Sequence, residues 1–310
     1  MAGQQRIYKQ RIASTQTLSK VFRAMEMIAA SRIGAARRDA TEVGPYEQAI
    51  TQAVASVAIH TDMGHPLTDV RNDTPRVAVL VVASDRGMAG AYSATILRET
   101  EHLITTLREE GKTPILYTCG RRAKNYFSFR GAEIERSWEG ESDEPSLEMT
   151  HSIAEELLKR FLDEDRMTGV SEVHLVYTRF RNMMSQIPQV RQMLPLTVVD
   201  AYGEGETNEV DPVKDDGSLL FPEYEFIPSA RDVLDALLPL YVESRIRNVL
   251  LQAAASELAS RQRAMHTATD NARNLIDDLT RKLNASRQAS ITQELTEIIG
   301  SADALTKKEE

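Results

Sequence analysis

The chain has 310 residues, a net charge of −9, 42% hydrophobic residues and a single cysteine, Cys119. This length suggests about two structural units, no apolar run reaches the roughly 20 residues that cross a bilayer, and a lone cysteine excludes an internal disulfide and a thiolate metal cluster. The charged first stretch, MAGQQRIYKQRIAST, lacks the apolar core of a signal peptide. We therefore expect the protein to remain in the compartment where it is made.

Residues 1–60 are predicted to form a helical segment that bends or breaks at Gly44-Pro45. Its apolar residues recur at the narrow three-four spacing of a coiled-coil seam, at Leu18, Val21, Met25, Ile28 and Ala35. Between Met1 and Arg38 there are eight basic side chains and a single acidic one, Glu26. This imbalance indicates nucleic acid, an anionic membrane surface or an acidic protein as a partner, or only a solvated helix face.

From Arg76 the pattern changes to short β-rich runs that alternate with helical stretches. Strands are predicted at 77–82, 114–118, 133–138, 173–180, 189–195 and 196–199, and helices at 89–110, 121–127 and 145–162. Strand–helix–strand order predicts a parallel sheet with crossover helices. We therefore place a Rossmann-like α/β domain at residues 76–200, followed by an acidic connector at 201–228.

Residues 229–305 are predicted to form one long helix, because they contain no glycine before Gly300 and consist mainly of good helix formers. Its seam runs at four-three spacing through Ala255, Leu258, Gln262, Met265, Thr269, Ala272, Ile276, Leu279 and Leu283, then slips by one residue to Ile291, Leu295, Ile298, Ala302 and Leu305. Because the α/β domain lies between the two long helices in the sequence, these helices can pair antiparallel, as the two arms of a hairpin do. The predicted fold class is α/β, with a long antiparallel coiled coil of the N- and C-terminal helices.

Tests for catalytic and cofactor motifs are negative. The segment 84–93, SDRGMAGAYS, follows a strand and opens a helix, where phosphate loops lie, but it has neither the P-loop pattern nor the dinucleotide glycine spacing. We interpret it as a tight turn with Asp85 and Arg86 in local hydrogen bonds. The six histidines are scattered, so no metal site is predicted. By contrast, 286–294, SRQASITQE, places polar residues all round a helix, which indicates contact with another chain or only an exposed helix turn.

Three stretches resemble one family. RIYKQRIASTQTLSKVFRAMEMIAASRI is similar to the N-terminal helix of the gamma subunit of bacterial-type ATP synthases, and ASELASRQRAMHTATDNARNLIDDLTRKLNASRQASITQELTEIIGSADAL is similar to its C-terminal helix. SDRGMAGAY resembles the family's S-D-R-G-L-C-G-G segment, from which Met88, Ala89 and Ala91 depart. The resemblance covers nearly the whole chain, and AMEMIAAS with RQASITQE is its most specific part.

The resemblance implies a rotor shaft that turns inside a ring of alpha and beta subunits and drives the beta sites through states of different nucleotide affinity. It implies further contacts with the epsilon subunit and the membrane c-ring, at the cytoplasmic face of the bacterial plasma membrane, and no catalytic residue, cofactor, metal or nucleic acid. Membrane association is expected through the complex only. The positions that match the family's contacts with beta are Met25, Arg261, Arg287, Gln288 and Thr292.

Two features depart from the family. The regulatory cysteine pair of plant-type members is absent, and the charged stretch 162–173 is longer than the usual connection, which suggests a surface loop that contacts a neighbour or brakes rotation. Two other classes remain open on the residues alone. One is a nucleic-acid-binding or adaptor coiled coil using the basic N-terminal helix, and the other is a nucleotide-binding enzyme with its ligand at Asp85 to Gly90.

Overall fold

The computed structural model describes residues 2–60, 71, 73–195 and 226–306. Six helices are described, α1 Ala2–Glu42, α2 Gly44–His60, α3 Tyr92–Glu109, α4 Arg121–Phe129, α5 Leu147–Leu162 and α6 Ala230–Thr306. Five strands alternate with the middle helices, β1 Arg76–Val82, β2 Thr113–Cys119, β3 Ile134–Trp138, β4 Glu172–Phe180 and β5 Gln186–Leu194. The predicted succession of long helix, α/β domain and long helix is confirmed. Most of the predicted connector at 201–228, and the strand predicted at 196–199, lie outside the described residues.

The five strands form one mixed sheet in the order β3-β2-β1-β4-β5. The first four are parallel, as predicted, and β5 pairs antiparallel with β4. The reason is the connection, since only residues 181–185 separate β4 from β5. A parallel return needs a crossover of a dozen or more residues, whereas a short hairpin forces the antiparallel direction.

The sheet is covered on both faces because β1 alternates its side chains between two apolar clusters. Val77, Val79 and Val81 pack with residues of α3 and α4. Ala78, Leu80 and Val82 pack on the other side with residues of α2, α5 and α6. Residues 77–82 are therefore buried throughout, which explains why the predicted strand was apolar at every position.

Local signals account for the helix starts. The Ser146 hydroxyl accepts a hydrogen bond from the Met149 amide (3.0 Å) and caps α5. Ser229 does the same for the Asp232 amide (3.2 Å) at the start of α6. Pro45 is the second residue of α2, where its missing N–H costs no helical hydrogen bond.

The chain divides into two compact units. We call Met1–Ala29 with Arg261–Glu310 the helical unit, and Ala30–Ser260 the mixed unit, which contains the α/β domain. Helices α1 and α6 each contribute to both. The sequence-based domain limits follow the ends of helices and strands, whereas this division cuts both long helices.

Candidate partner-binding surface

The helical unit is an antiparallel pair of helices. The Gln5 side-chain amide on α1 donates to the Ser286 carbonyl (3.4 Å) and to the Ser290 hydroxyl (3.1 Å) on α6. Further along α1, the Glu26 carboxylate lies 2.9 Å from the ring Nδ1 of His266. The residue number on α6 falls as the number on α1 rises, so the helices run in opposite directions, which confirms the predicted pairing.

The predicted contact stripe on α6 is confirmed within this unit. Its buried positions are Met265, Thr269, Ala272 and Leu279, and Ile276 and Leu283 are half-buried. The stripe then continues at the same spacing to half-buried Ser286 and Ser290. The apolar residues after Leu283 therefore leave the seam, and serines replace them against α1.

The predicted stripe on α1 is wrong in phase. Leu18, Val21, Ile28 and Ala35 are exposed. The less exposed positions of the first 29 residues include Gln5, Tyr8, Ile12, Thr15, Ser19, Phe22 and Ala29. The apolar spacing located a real face of the helix, but the seam uses a different face, which mixes small and polar side chains with Tyr8, Ile12 and Phe22.

An apolar face of α1 is consequently left uncovered. Leu18, Val21 and Ile28 are about half exposed, as is Ile7 nearer the start of the helix. Residues three and four apart lie on the same face of a helix, so Leu18, Val21 and Ile28 form one stripe that includes the half-buried Met25. Such a stripe on a helix that already has one partner is typical of a surface that another protein covers.

The far end of α6 presents a second apolar surface. Residues 291–299 are all exposed, with Ile291 at 48%, Leu295 at 54%, Ile298 at 64% and Ile299 at 62%. Their three-four spacing collects them on one side of the helix. This agrees with the prediction that the tip of the rod extends its apolar residues beyond its helical partner.

Three of the predicted contact residues lie beside this tip. Arg287, Gln288 and Thr292 are exposed. Gln288 and Thr292 are four residues apart and continue the face that carries Leu295 and Ile299. Arg287 makes no hydrogen bond or ion pair to any residue that the structure describes, so its guanidinium is available to a carboxylate from outside.

The other two predicted contact residues are placed differently. Met25 is half-buried on α1, near the level where Glu26 meets His266. That level is about 30 Å along the helix from Arg287, at 1.5 Å per residue. Arg261 is only 5% exposed, so it offers little surface to another chain. The structure therefore collects Arg287, Gln288 and Thr292 into one patch and leaves Met25 and Arg261 apart from it.

The turn after β1 holds a carboxylate where a nucleotide phosphate would lie in related α/β folds. Asp85 accepts hydrogen bonds from the backbone amides of Arg121 (3.0 Å), Gly140 (2.8 Å) and Ser142 (2.9 Å). Burial raises the pKa of Asp85, but these three bonds outweigh burial and lower it. The N-cap residue of α4 is Gly120, which has no side chain. The Asp85 carboxylate therefore binds the amide at the start of α4, and its negative charge repels phosphate. The predicted turn at Asp85 is confirmed, but the prediction of local hydrogen bonds for Asp85 is wrong, because these bonds come from residues far away in the sequence.

Other candidate chemical groups are inactive or structural. Burial raises the pKa of the Cys119 thiol to about 12, so the reactive thiolate does not form near neutral pH. Among the residues that the structure describes, no cluster of histidine, cysteine, aspartate or glutamate could hold a metal ion. In the same part of the chain, no helix is both long and apolar enough to span a membrane.

The charged loop after α5 is an ordered turn. The Asp163 side chain accepts hydrogen bonds from the Thr168 hydroxyl (2.6 Å) and the Asp165 amide (3.0 Å). The Arg71 guanidinium donates to the Phe161 and Asp163 carbonyls at the end of α5 (2.8 and 2.9 Å). A Cβ at Gly169 would lie 2.2 Å from the Asp163 carbonyl oxygen, so a larger residue does not fit this turn.

Comparison with known proteins identifies the family. Residues 4–305 match a family model described as ATP synthase. The ATP synthase gamma chain of Beutenbergia cavernae is 56% identical over 305 residues, which is 98% of this chain and 99% of that protein. The gamma chain of Bifidobacterium adolescentis is 53% identical over 309 residues, 99% of this chain and 100% of that one. The chain belongs to the ATP synthase gamma chain family.

Solved structures share the fold of this gamma-family chain. A chain of the Euglena gracilis mitochondrial ATP synthase superposes with a TM-score of 0.66 at 15% identity, covering 100% of this chain and 97% of that one. A chain of the Tetrahymena thermophila mitochondrial ATP synthase, from its central stalk and c-ring, gives a TM-score of 0.55 at 20% identity, covering 80% and 99%. At these identities the likeness shows a common architecture.

Sequence reasoning missed the exposed face of the gamma-family α1 as a candidate partner surface, because it assigned Leu18, Val21 and Ile28 to the intramolecular seam. A signal for the correct phase was present in the sequence. Gln5, Ile12, Thr15, Ser19 and Phe22 recur at three-, four- and seven-residue spacing, which is the spacing of a helix face just as that of the apolar residues is.

Proposed function

We propose that the chain is the central-stalk rotor subunit of a proton-translocating F-type ATP synthase. In this proposal the alpha and beta subunits surround the helical unit, and the epsilon subunit and the c-ring contact the α/β domain. The chain contributes no catalytic residue and no cofactor. It reaches the cytoplasmic face of the bacterial plasma membrane only through the complex. Membership of the gamma chain family supports the rotor role, and the surface of the helical unit supports the enclosure.

The uncovered apolar surface is the observation that carries this proposal. The α1 stripe at Leu18, Val21 and Ile28 and the α6 tip at Leu295 and Ile298 are about half exposed or more. Removing apolar surface from water contributes about 25 cal/mol of stabilising free energy per Å². A surrounding ring of subunits would therefore stabilise the helical unit by covering these exposed apolar side chains. The seam between the two helices is narrow and includes the small or polar residues Thr269, Ala272 and Ser286, so the isolated pair gains little stability from its own apolar contacts.

Coupling requires that the rotor interacts differently with each beta conformation at each angle. The helical unit meets this requirement because its sides differ in chemistry. The α6 tip combines the exposed arginine Arg287 with Gln288 and an apolar face, whereas the exposed side of α1 is an apolar stripe. Arg287 is positioned to make a charge-assisted hydrogen bond to an acidic loop of beta in some angles and not in others.

Co-purification tests the rotor role. Tagged full-length chain, expressed in its own cells and extracted from membranes with a mild detergent, is expected to bring down alpha, beta, epsilon and c subunits in fixed proportion. A nucleic-acid-binding coiled coil would instead be recovered with nucleic acid in a steeply salt-dependent way. Recovery without alpha and beta subunits would contradict the proposal.

Substitution of Arg287 tests the contact patch. In the assembled complex, Arg287→Ala is expected to lower coupled ATP turnover about tenfold, which corresponds to about 1.4 kcal/mol and is close to the lower limit for one charge-assisted hydrogen bond. Arg273→Ala is the matched control, because Arg273 is an exposed arginine two heptads earlier on α6 that already pairs with Asp270 at 3.4 Å. The α/β domain should unfold at the same temperature in both variants. Equal turnover in the two variants would refute the role of Arg287.

A further inference from the structure

Two parts of the α/β domain reach across to both long helices inside the mixed unit. The first is the loop of residues 139–146 between β3 and α5, which we call the loop arm. The second is the β4–β5 turn with its flanking residues, 178–186, which we call the hairpin arm. Both arms contact α1 and α6.

The loop arm contacts each helix through an arginine. The Asp143 carboxylate lies 2.9 Å from Nη1 of Arg32 on α1. Two residues later in the loop, the Pro145 carbonyl accepts a hydrogen bond of 2.6 Å from Nη1 of Arg247 on α6. A single short loop therefore links the α/β domain to both members of the helix pair.

The loop arm is itself tied to the centre of the sheet. The Asp85 carboxylate, at the end of β1, accepts the Gly140 and Ser142 amides, as described above. In return, the Asp85 amide donates to the Ser142 hydroxyl at 2.8 Å. These directional bonds join the loop arm to the turn that follows β1, which is the central strand of the sheet.

The hairpin arm contacts the same two helices through different residues. The Phe180 amide donates to the Gln252 side chain (3.1 Å), and the Ser256 hydroxyl donates to the Thr178 carbonyl (3.0 Å). On α1, the Arg37 guanidinium lies 5.8 Å from the centre of the Phe180 ring. Phe180 and Met183 also pack against the buried cluster where the helices meet, formed by Ile33, Ala36, Ala255, Leu258 and Ala259.

The two arms hold each helix from different sides. On α6, Arg247 and Gln252 are five residues apart, and on α1, Arg32 and Arg37 are also five residues apart. Five residues correspond to about 140° around a helix of 3.6 residues per turn. Apolar burial is non-directional, whereas hydrogen bonds and ion pairs weaken when their angle changes. The arms therefore add directional contacts that oppose rotation of α1 and α6 against the α/β domain, beyond the packing of the apolar core.

We propose that the loop arm and the hairpin arm form a collar that transmits torque between the α/β domain and the helix pair, with Arg32, Asp143 and Gln252 as its positioning residues. This inference rests on the proposed rotor function. It predicts that weakening the collar lets the long helices rotate relative to the α/β domain. The number of protons pumped per ATP hydrolysed then falls, although the complex still assembles.

The test uses the full chain assembled in its complex in sealed membrane vesicles. Proton pumping and ATP hydrolysis are measured on the same preparation, and their ratio is compared. Arg32→Ala is expected to lower the ratio about threefold, the size suited to a partly exposed ion pair. Arg32→Asp combined with Asp143→Arg is expected to restore it. Arg32→Ala combined with Gln252→Ala loosens both arms and is expected to lower the ratio further than either change alone.

The structure offers a closely matched control pair. Arg136 and Glu156 are 2.8 Å apart with side chains 46% and 14% exposed, against 2.9 Å, 47% and 14% for Arg32 and Asp143. The control pair joins β3 to α5 within the α/β domain and does not reach the long helices. Arg136→Ala should therefore leave the ratio unchanged.

Three results would overturn the collar. The first is a wild-type ratio in an assembled complex that carries Arg32→Ala. The second is an equal fall with Arg136→Ala, and the third is a fall that the charge exchange does not repair. Loss of assembly by Arg32→Ala, with the isolated variant still folded, would also count against it, because the pair would then serve docking rather than torque. Failure of the rotor function itself looks different, since the wild-type chain would then lack alpha and beta subunits.

Discussion

Helices α1 and α6 run through both compact units but are held differently in each. In the mixed unit, residues 253–260 of α6 are buried at every position. In the helical unit, the described part of the same helix buries only residues three, four or seven apart, which are Arg261, Met265, Thr269, Ala272 and Leu279. One helix therefore has the environment of a protein core along part of its length and of a thin two-helix seam along the rest.

This difference separates two ways of stabilising a helix. A helix that is buried all round gains its stability from the surrounding core, whereas a helix buried along one stripe depends on one neighbour and leaves its other sides to solvent or to a partner. The mixed unit is therefore stable by its own contacts. The helical unit is expected to open more readily in the isolated chain and to be strengthened when other subunits enclose it.

The largest expected effect comes from making the same substitution in each unit. Leu157 on α5 is fully buried in the mixed unit, and Leu283 on α6 is half-buried in the helical seam. Leu157→Ala is expected to lower the free energy of unfolding by about 2–5 kcal/mol, because it leaves a cavity in a close-packed core. Leu283→Ala should cost less than about 1.5 kcal/mol. Urea unfolding followed by circular dichroism measures both, and equal costs would remove the contrast between the units.

Acid should act on the mixed unit more than on the helical unit. The hydrogen bond from His174 lowers the pKa of Glu172, burial opposes it, and Lys112 lowers it further, to about 2. A carboxylate whose pKa is lower in the folded state stabilises the protein fully above its unfolded pKa of about 4.3. That stabilisation is lost as the pH falls from there to about 2.

Glu172→Gln is expected to remove about 1–3 kcal/mol at neutral pH and to flatten the stability profile between these pH values. The control is Asp278→Asn in the helical unit, where the pKa of the exposed Asp278 is lowered by a hydrogen bond from Lys282. Because solvent screens that pair, this variant should follow the wild-type profile. Thermal unfolding across the pH range is the measurement, and a profile unchanged by Glu172→Gln would contradict the assignment.

The smallest expected effect tests the polar seam. The Ser286 hydroxyl oxygen is buried without a hydrogen-bond partner among the described residues, although its backbone carbonyl accepts from Gln5. Ser286→Ala removes the unpaired hydroxyl and improves helix propensity, so it should stabilise the helical unit by less than about 1 kcal/mol. Ser14→Ala is the control, because Ser14 lies at an exposed position of α1 in the same unit. This substitution measures the effect of helix propensity without the loss of a buried hydroxyl. Destabilisation by Ser286→Ala would mean that the hydroxyl is needed in the seam.

Much of the fold was predictable because its signals are local. The apolar strand β1 and the four-three stripe of α6 were each assigned from neighbouring residues, and the structure confirms them. The direction of β5 was missed because the sequence pattern of a strand does not show which way it runs. The turn at Asp85 was placed correctly, but its bonds to Gly140 and Ser142 join residues far apart in the chain and became visible only in the folded domain.

The sequence by itself determined that the chain has two long helices around an α/β domain, and that the polar cluster from Arg287 to Thr292 lies on an exposed helix. Periodicity and helix propensity are properties of adjacent residues, so they suffice for these conclusions. Only the tertiary structure decided which face of α1 meets α6. Both the face with Leu18 and Val21 and the face with Thr15, Ser19 and Phe22 have helical spacing, so local periodicity fits either of them. Packing against α6 covers the face with Phe22, and it leaves Leu18 and Val21 at the surface.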